Sequence, residues 1–336
     1  MPDGAVLANY SRELLVEALR FIFVDERRGA SRRVILPSFV CNTLVDAVLS
    51  AGGVPVFHGL DRNLTPRLDE VERELDIGAA AWLVVDYFGM QPDISSALID
   101  KARHLGCRVI HDGAHSFLGL MADPTRSLAG FDCSVFSIYK ALATGTGAVG
   151  FGLPSRRSRV SLPLMAVMAA RKGAKHVVAM AAGGRLVNRG MEILHQEAPA
   201  TLFRLPANAG GVPVLRLIAE HHNYAAIAAD AAAVTPRLAA AAEAIGAPPV
   251  FDEAQRARNV LQGFPVRFAT QAERDRMIAL FRARRIDAHT WPTFSTLATD
   301  EAIWRTLLVL PVHIRTVEAL EALQAASRRN CATSPY

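Results

Sequence analysis

Apolar positions fall first into a stripe and then into short blocks. Leu14, Leu15, Ala18, Leu19 and Ile22 recur at helical spacing and predict a helix over about Ser11–Val24, with Ser11 as its N-cap. Beyond it, short apolar runs alternate with amphipathic stretches. "VILP" at 34–37 precedes "NTLVDAVLSAG", "VPVF" at 54–57 precedes "LDEVEREL", and "AAWLVV" at 80–85 precedes "DISSALIDKARHLG". "CRVIHD" at 107–112 and "CSVFS" at 133–137 follow, and Ala148 to Phe151 reads as one more strand. Strands alternating with helices predict an α/β fold with a mainly parallel central sheet and helices on both faces. Gly52 and Gly106 stand just past two of the helices, where a left-handed residue ends the helical run.

After Pro154 the pattern changes. Residues 156–200 read as helical, and a long helix is predicted over about 216–245. "GFPVRFA" at 263–269 and "LLVLPV" at 307–312 read as strands, with "QAERDRMIALFRARR" as a helix between them and a last helix after them. These segments predict a smaller C-terminal α+β unit. The expected division is a large domain over 1–209 and a small one over 210–336, with the N-terminal dozen residues packing beside the small one.

Composition narrows the classes. The chain has 336 residues, is 51% hydrophobic and carries a formal charge of +5. Its basic residues are scattered, with no Lys/Arg run longer than two, which argues against a nucleic-acid groove and fits an anionic small-molecule substrate. Cys41, Cys107, Cys133 and Cys331 lack the close spacing of a zinc site, so no metal is expected, and unpaired thiols fit a reducing cytoplasm. The first residues lack the pattern of a secretory signal, and no window of about 18–20 residues is free of charge, so no membrane span is expected.

Candidate chemistry sits at strand ends, where ligands bind in open α/β sheets. Asp86, Asp112 and Lys140 each fall there. A buried aspartate and a strand-end lysine suit pyridoxal phosphate: the amine forms a Schiff base with the aldehyde, and the carboxylate holds the ring nitrogen's proton. Ser11, Arg12 and Ser137 could meet a phosphate at a helix start. Each residue also has a plainer reading. Lys140 could be a solvated edge, Asp112 a turn former, His115 a structural histidine, and the glycines of "TGTGAVG" a tight turn.

The motifs "VILPSFVCNTLVDAVLSAGGVPVFHGLD", "WLVVDYFGMQPDI", "CRVIHDGAHSFLG" and "FDCSVFSIYKALATGTGAVGF", in this order and spacing, resemble the DegT/DnrJ/EryC1/StrS aminotransferases. Fainter echoes follow in "HHNYAAIAADAAAV", "FPVRFA", "ARRIDAHTWP" and "LLVLPVH". The resemblance implies the fold-type I architecture of pyridoxal phosphate enzymes. It makes Lys140 the Schiff-base lysine (the internal aldimine), Asp112 the partner of the ring nitrogen, His115 the neighbour of the phenolic oxygen and Ser137 a phosphate ligand. Ser11 and Arg12 occupy the first-helix phosphate loop, and Cys41 the place of a ring that stacks on the cofactor. It further implies a cytoplasmic homodimer moving an amino group from an amino-acid donor, glutamate, to a keto-sugar linked to a nucleotide.

Departures are visible. "SIYK" is shorter than the usual serine-to-lysine spacing, Cys41 replaces an aromatic ring, "NYSR" lacks the usual glycine, and Asp86 stands where a histidine is common. Asn208 is a candidate for the asparagine that crosses between subunits. Leu162–Gly184 is a candidate contact surface or an internal packing helix. Arg285, Trp291 and His313 lie in segments resembling substrate-side loops, with packing or surface roles as the alternative. The rival functions are an aminotransferase for a non-sugar ketone, a dehydratase, which would have histidine in place of Lys140, and a cofactor-free binding subunit.

Overall fold

The computed structural model describes residues 1–24, 31–142, 144–154, 157–181, 210–284, 286–291 and 301–332. Its centre is a seven-stranded sheet in the order β1-β7-β6-β5-β4-β2-β3. The strands are β1 (Val6–Ala8), β2 (Arg33–Pro37), β3 (Val54–His58), β4 (Ala81–Val85), β5 (Arg108–Gly113), β6 (Cys133–Ser137) and β7 (Ala148–Phe151). Strands β2 to β6 are parallel, and β7 runs antiparallel between β6 and β1.

Both faces of this sheet are buried, as the nearly continuous apolar runs require. Residues alternate between faces. Val34, Leu36, Ala81, Leu83, Ile110 and Val135 share one core with helices α1 (Ser11–Val24) and α2 (Asn42–Ser50). Ile35, Trp82, Val84 and Val109 face the helices Leu68–Ile77 and Ser96–His104. Asp112 has the parity of Ile110, so its side chain belongs to the face covered by α1 and α2. The same core continues into the C-terminal region through Leu261, Phe264, Val266 and Leu307 to Leu310. There β8 (Phe264–Arg267) and β9 (Leu307–Leu310) form an antiparallel pair beside the helices Gln271–Ala283 and Ile314–Ala332. The α/β class, the mainly parallel sheet and the smaller C-terminal α+β region are therefore as expected.

The N-terminal residues touch both regions: Val6–Ala8 form the edge of the large sheet, paired with β7, and the Met1 ammonium reaches Glu220, within 210–336, at 3.1 Å. Two local expectations change. The helix expected over 216–245 is two helices, Gly211–Glu220 and Tyr224–Glu243. Asn223 interrupts it because its side chain accepts the Ala226 N–H at 3.0 Å, a cap that outcompetes helix continuation. Lys140 is not at the tip of β6 but in the one-turn helix Ile138–Ala141 that follows it. Helix Leu162–Ala181 covers the described part of the segment expected to be helical to 200; residues 182–200 lie outside the described residues. Helix Tyr224–Glu243 is long and apolar enough to cross a membrane by composition alone. Its Leu238, Ala239, Ala241 and Ala242 are buried in the common core.

Candidate active site

The carboxyl ends of β4, β5 and β6 and the N-termini of α1 and α2 surround a cavity of about 450 Å³. Lys140, Asp112, His115, Ser11, Arg12 and Cys41 all line it. Ser137, fully buried at the end of β6, adjoins it through a 3.1 Å hydrogen bond between its hydroxyl and that of Ser11. Two hydroxyls thus meet at the N-terminus of a 14-residue helix, where backbone N–H groups and the helix dipole favour an anion. Arg12 adds a positive charge at the same rim and lies 4.8 Å above the Tyr10 ring. Tyr10 in turn meets Tyr139 edge-on at 5.5 Å, and burial pushes its phenol up to about 12.

Lys140 Nζ lies 3.1 Å from His115 Nε2. Asp112, at the end of β5, accepts the Ala114 N–H at 3.0 Å and is buried. Burial raises its carboxyl above the ordinary range, while Lys140 and the Ala114 N–H pull it back down. A buried carboxylate facing a cavity is suited to a cationic partner, which would offset that burial. His115 is held well below its ordinary value, by burial first and then by Lys140 and His289, so it is neutral. The Cys41 thiol precedes α2, lies 2.9 Å from Thr43 Oγ1, and is pushed up by burial against the pull of Lys140.

Asp86 has another partner. Its Oδ2 lies 2.9 Å from Nε2 of His111, and both residues are buried, with His111 stacked on Phe131 at 4.3 Å. The departure at position 86 is thus matched by a histidine on the neighbouring strand.

Trp291 lines one side of the cavity, with a cluster of buried rings behind it. Trp291 meets His115 at 4.9 Å, Phe88 at 5.5 Å, Phe39 at 5.7 Å and Tyr87 at 5.9 Å, each nearly edge-on. Phe88 stacks face to face on His115, centroids 5.6 Å apart and planes 13° apart. Tyr87 to Met90 form a two-residue reverse turn, closed by mutual backbone hydrogen bonds between Tyr87 and Met90 of 3.1 and 2.9 Å. Both central residues have positive φ, 57° at Phe88 and 96° at Gly89, which is the pattern Asn-Gly normally fills. A phenylalanine there is a strained choice, at a cost of about 1–2 kcal/mol. Gly89 is required for a second reason: a Cβ would lie 2.4 Å from the Val260 carbonyl.

Sequence reasoning therefore reached most of the residues that converge here and missed Asn42, Thr43 and Tyr139 in the lining and the rings of Phe39, Tyr87 and Phe88 behind it. Asn42 and Thr43 were readable in principle, since they open a predicted helix straight after a predicted strand. Trp291 lines the cavity. His313 does not share that placement: it is exposed and accepts the Arg315 N–H at the start of the last helix, away from the cavity lining. Asn208 and Arg285 lie outside the described residues.

The reversal of β7 within an otherwise parallel sheet, with a lysine after β6 and an aspartate ending β5, gives the fold that this chain shares with solved aminotransferases. Over residues 16–151 the chain matches the DegT/DnrJ/EryC1/StrS aminotransferase family, as its motifs implied. A dTDP-4-dehydro-2,3,6-trideoxy-D-glucose 4-aminotransferase of Saccharopolyspora spinosa is 32% identical over 126 residues, which is 36% of this chain and 32% of that protein. The match thus spans about a third of that relative's length. Among solved structures, 3-amino-5-hydroxybenzoic acid synthase superposes with a TM-score of 0.63 at 16% identity, covering 97% of this chain and 86% of that one. A DegT/DnrJ/EryC1/StrS aminotransferase from Brucella abortus does so with a TM-score of 0.57 at 15% identity, covering 95% and 86%. At these identities the superpositions speak for the fold.

Proposed function

We propose that this protein is a pyridoxal phosphate-dependent aminotransferase that moves an amino group from an amino-acid donor, glutamate, to a keto-sugar linked to a nucleotide. The observation that carries the reading is one cavity lined by Lys140, Asp112 and Ser11, the last hydrogen-bonded to Ser137 at a helix N-terminus. These residues fit the cofactor: an amine for its aldehyde, a buried carboxylate for its ring nitrogen and an anion cup for its phosphate. When bound, the cofactor supplies an aldehyde that carries the amine and a ring that takes up carbanion charge.

The chain's own groups do the rest. Lys140 would hold the cofactor through its Nζ, which would also take a proton from the substrate carbon and return it. The Asp112 carboxylate keeps the ring nitrogen protonated. Ser11 and Ser137, with the α1 N–H groups, hold the phosphate, and Arg12 stands at the rim for an anionic substrate group. Trp291, Phe88 and Tyr87 exclude water from one side. The nucleotide-sugar assignment rests on the activity of the 32% identical relative. As part of the same proposal the enzyme is a cytoplasmic homodimer.

A second reading, an acceptor that is a non-sugar ring ketone, is favoured by the aromatic wall around Trp291. The test has two stages. Borohydride reduction should fix pyridoxal phosphate onto Lys140, read by mass spectrometry; an adduct elsewhere, or none, refutes the assignment. A screen of nucleotide-linked keto-sugars against cyclic non-sugar ketones, with glutamate as donor, then decides between acceptors.

A further inference from the structure

Phe88 is an unfavourable residue for its turn and is held there from three directions. Its carbonyl accepts the N–H groups of Gln262 at 2.8 Å and Gly263 at 3.2 Å, from the segment that leads into β8. Its ring covers one face of the His115 imidazole. Its own N–H points at His115 Nδ1, 3.4 Å away. An N–H donor facing Nδ1 requires a lone pair there, so a neutral imidazole must carry its proton on Nε2. Nε2 is the nitrogen that faces Lys140 Nζ at 3.1 Å.

We propose that Phe88 is a positioning residue: its left-handed backbone and its ring fix His115 as the Nε2–H tautomer aimed at Lys140, and the segment around Gln262 and Gly263 holds Phe88 in that state. An Nε2–H can donate to the amine only when the amine has its lone pair free, and that is the form that attacks an aldehyde. The C-terminal region thereby acts on the lysine through one backbone turn and one imidazole. The charged or titratable neighbours of His115 are Lys140 and His289, and those of Lys140 include Asp112 and Cys41. None of these offers Nδ1 the donor that Phe88 does. The consequence for Lys140 rests on the function proposed above; the tautomer does not.

The experiment is nitrogen NMR of ¹⁵N-histidine-labelled full-length protein without cofactor, with His115 assigned by its loss in His115→Gln. Wild type should show a single His115 tautomer, protonated on Nε2. Phe88→Leu, which keeps an apolar side chain but loses the flat ring, should show both tautomers, and Phe88→Tyr should restore the wild-type spectrum. Pyridoxal phosphate added to the same samples should form its borohydride-fixed adduct on Lys140 about tenfold more slowly in Phe88→Leu than in wild type. A wild-type spectrum with the proton on Nδ1 overturns the proposal whatever the variants do, so it stays testable even where Phe88→Leu fails to fold. An unchanged tautomer in folded Phe88→Leu overturns it equally. A Phe88-dependent tautomer in a protein that forms no adduct on Lys140 supports the positioning role and removes the aminotransferase reading instead.

Discussion

The cavity has a polar floor and an aromatic wall, and they are built by different means. The floor is Lys140, Asp112, Ser11 and Ser137, each at or just beyond the end of a strand or at the start of a helix. The sheet places these residues, and their neighbours along the chain supply the strands and turns. The wall is Trp291 with the buried rings of Phe39, Tyr87 and Phe88 behind it, brought together from segments far apart in sequence and locked by the contact of Phe88 and Gly89 with residues 260–263. Chemistry is concentrated where placement is local, and enclosure where it is long-range. Damage to the floor should then cost rate and spare the fold, whereas damage to the wall should cost stability first.

The largest expected effect is on the floor. Lys140→Ala should lower turnover by at least about 10³-fold and abolish the borohydride adduct, with the melting temperature scarcely moved. A variant that loses stability in proportion to rate would erase the distinction between floor and wall. Asp112→Asn should lower turnover by at least about 10²-fold, roughly 2.7 kcal/mol of transition-state stabilisation. Because burial raises the Asp112 carboxyl, the neutral amide should leave the cofactor-free protein as stable as before or more so. Half-reaction kinetics beside a melting curve checks both parts, and a normal rate would remove Asp112 from the chemistry.

The wall comes next. Trp291→Ala should cost about 2 kcal/mol of stability by urea denaturation, through the lost ring contacts and the hole they leave, with a smaller change in rate. An unchanged urea midpoint would mean that the wall does not hold the two regions together. The smallest effect is one of pH. His115 is kept neutral by burial, while in the unfolded chain it titrates near its ordinary value of 6.5. As pH falls below 6.5 the unfolded chain gains a proton that the folded chain refuses, so the stability present above that pH is lost, at most about 1.4 kcal/mol per pH unit for one group. His58, also lowered by burial, contributes with the same sign. Urea midpoints at pH 7.5 and 5.5 should differ less in His115→Gln than in wild type, about one group's share. Equal differences would show that His115 is not buried neutral.

The contrast between floor and wall also explains what could be read from the chain. Alternating apolar blocks announced the sheet, and strand-end residues announced Asp112 and Lys140, because both signals are local. The rings of Phe39, Tyr87 and Phe88 carried no such mark. An aromatic residue after a strand looks the same whether it fills a core or lines a cavity, and Trp291 joins them from some 200 residues away. "YFGM" hid its turn, since a phenylalanine in left-handed geometry defies local preference and is upheld by residues 262 and 263. The division at Asn223 was blurred by an alanine-rich stretch whose helical periodicity runs through it. Asp86 read as a strand-end acid facing the cavity, and only the neighbouring strand reveals His111 behind it.

The pairing of β1 with β7 sets an order of assembly. Val6 lies opposite Gly150, Asn9 accepts the Gly147 N–H, and Ser11 reaches Ser137. During synthesis the start of α1 therefore has no seat until nearly half the chain has been made. Loop closure over so long a span is slow compared with the formation of neighbouring strands and helices. The Ser11–Ser137 contact is among the last parts of the large sheet to form, so a ligand held there can trap the finished sheet but cannot nucleate it.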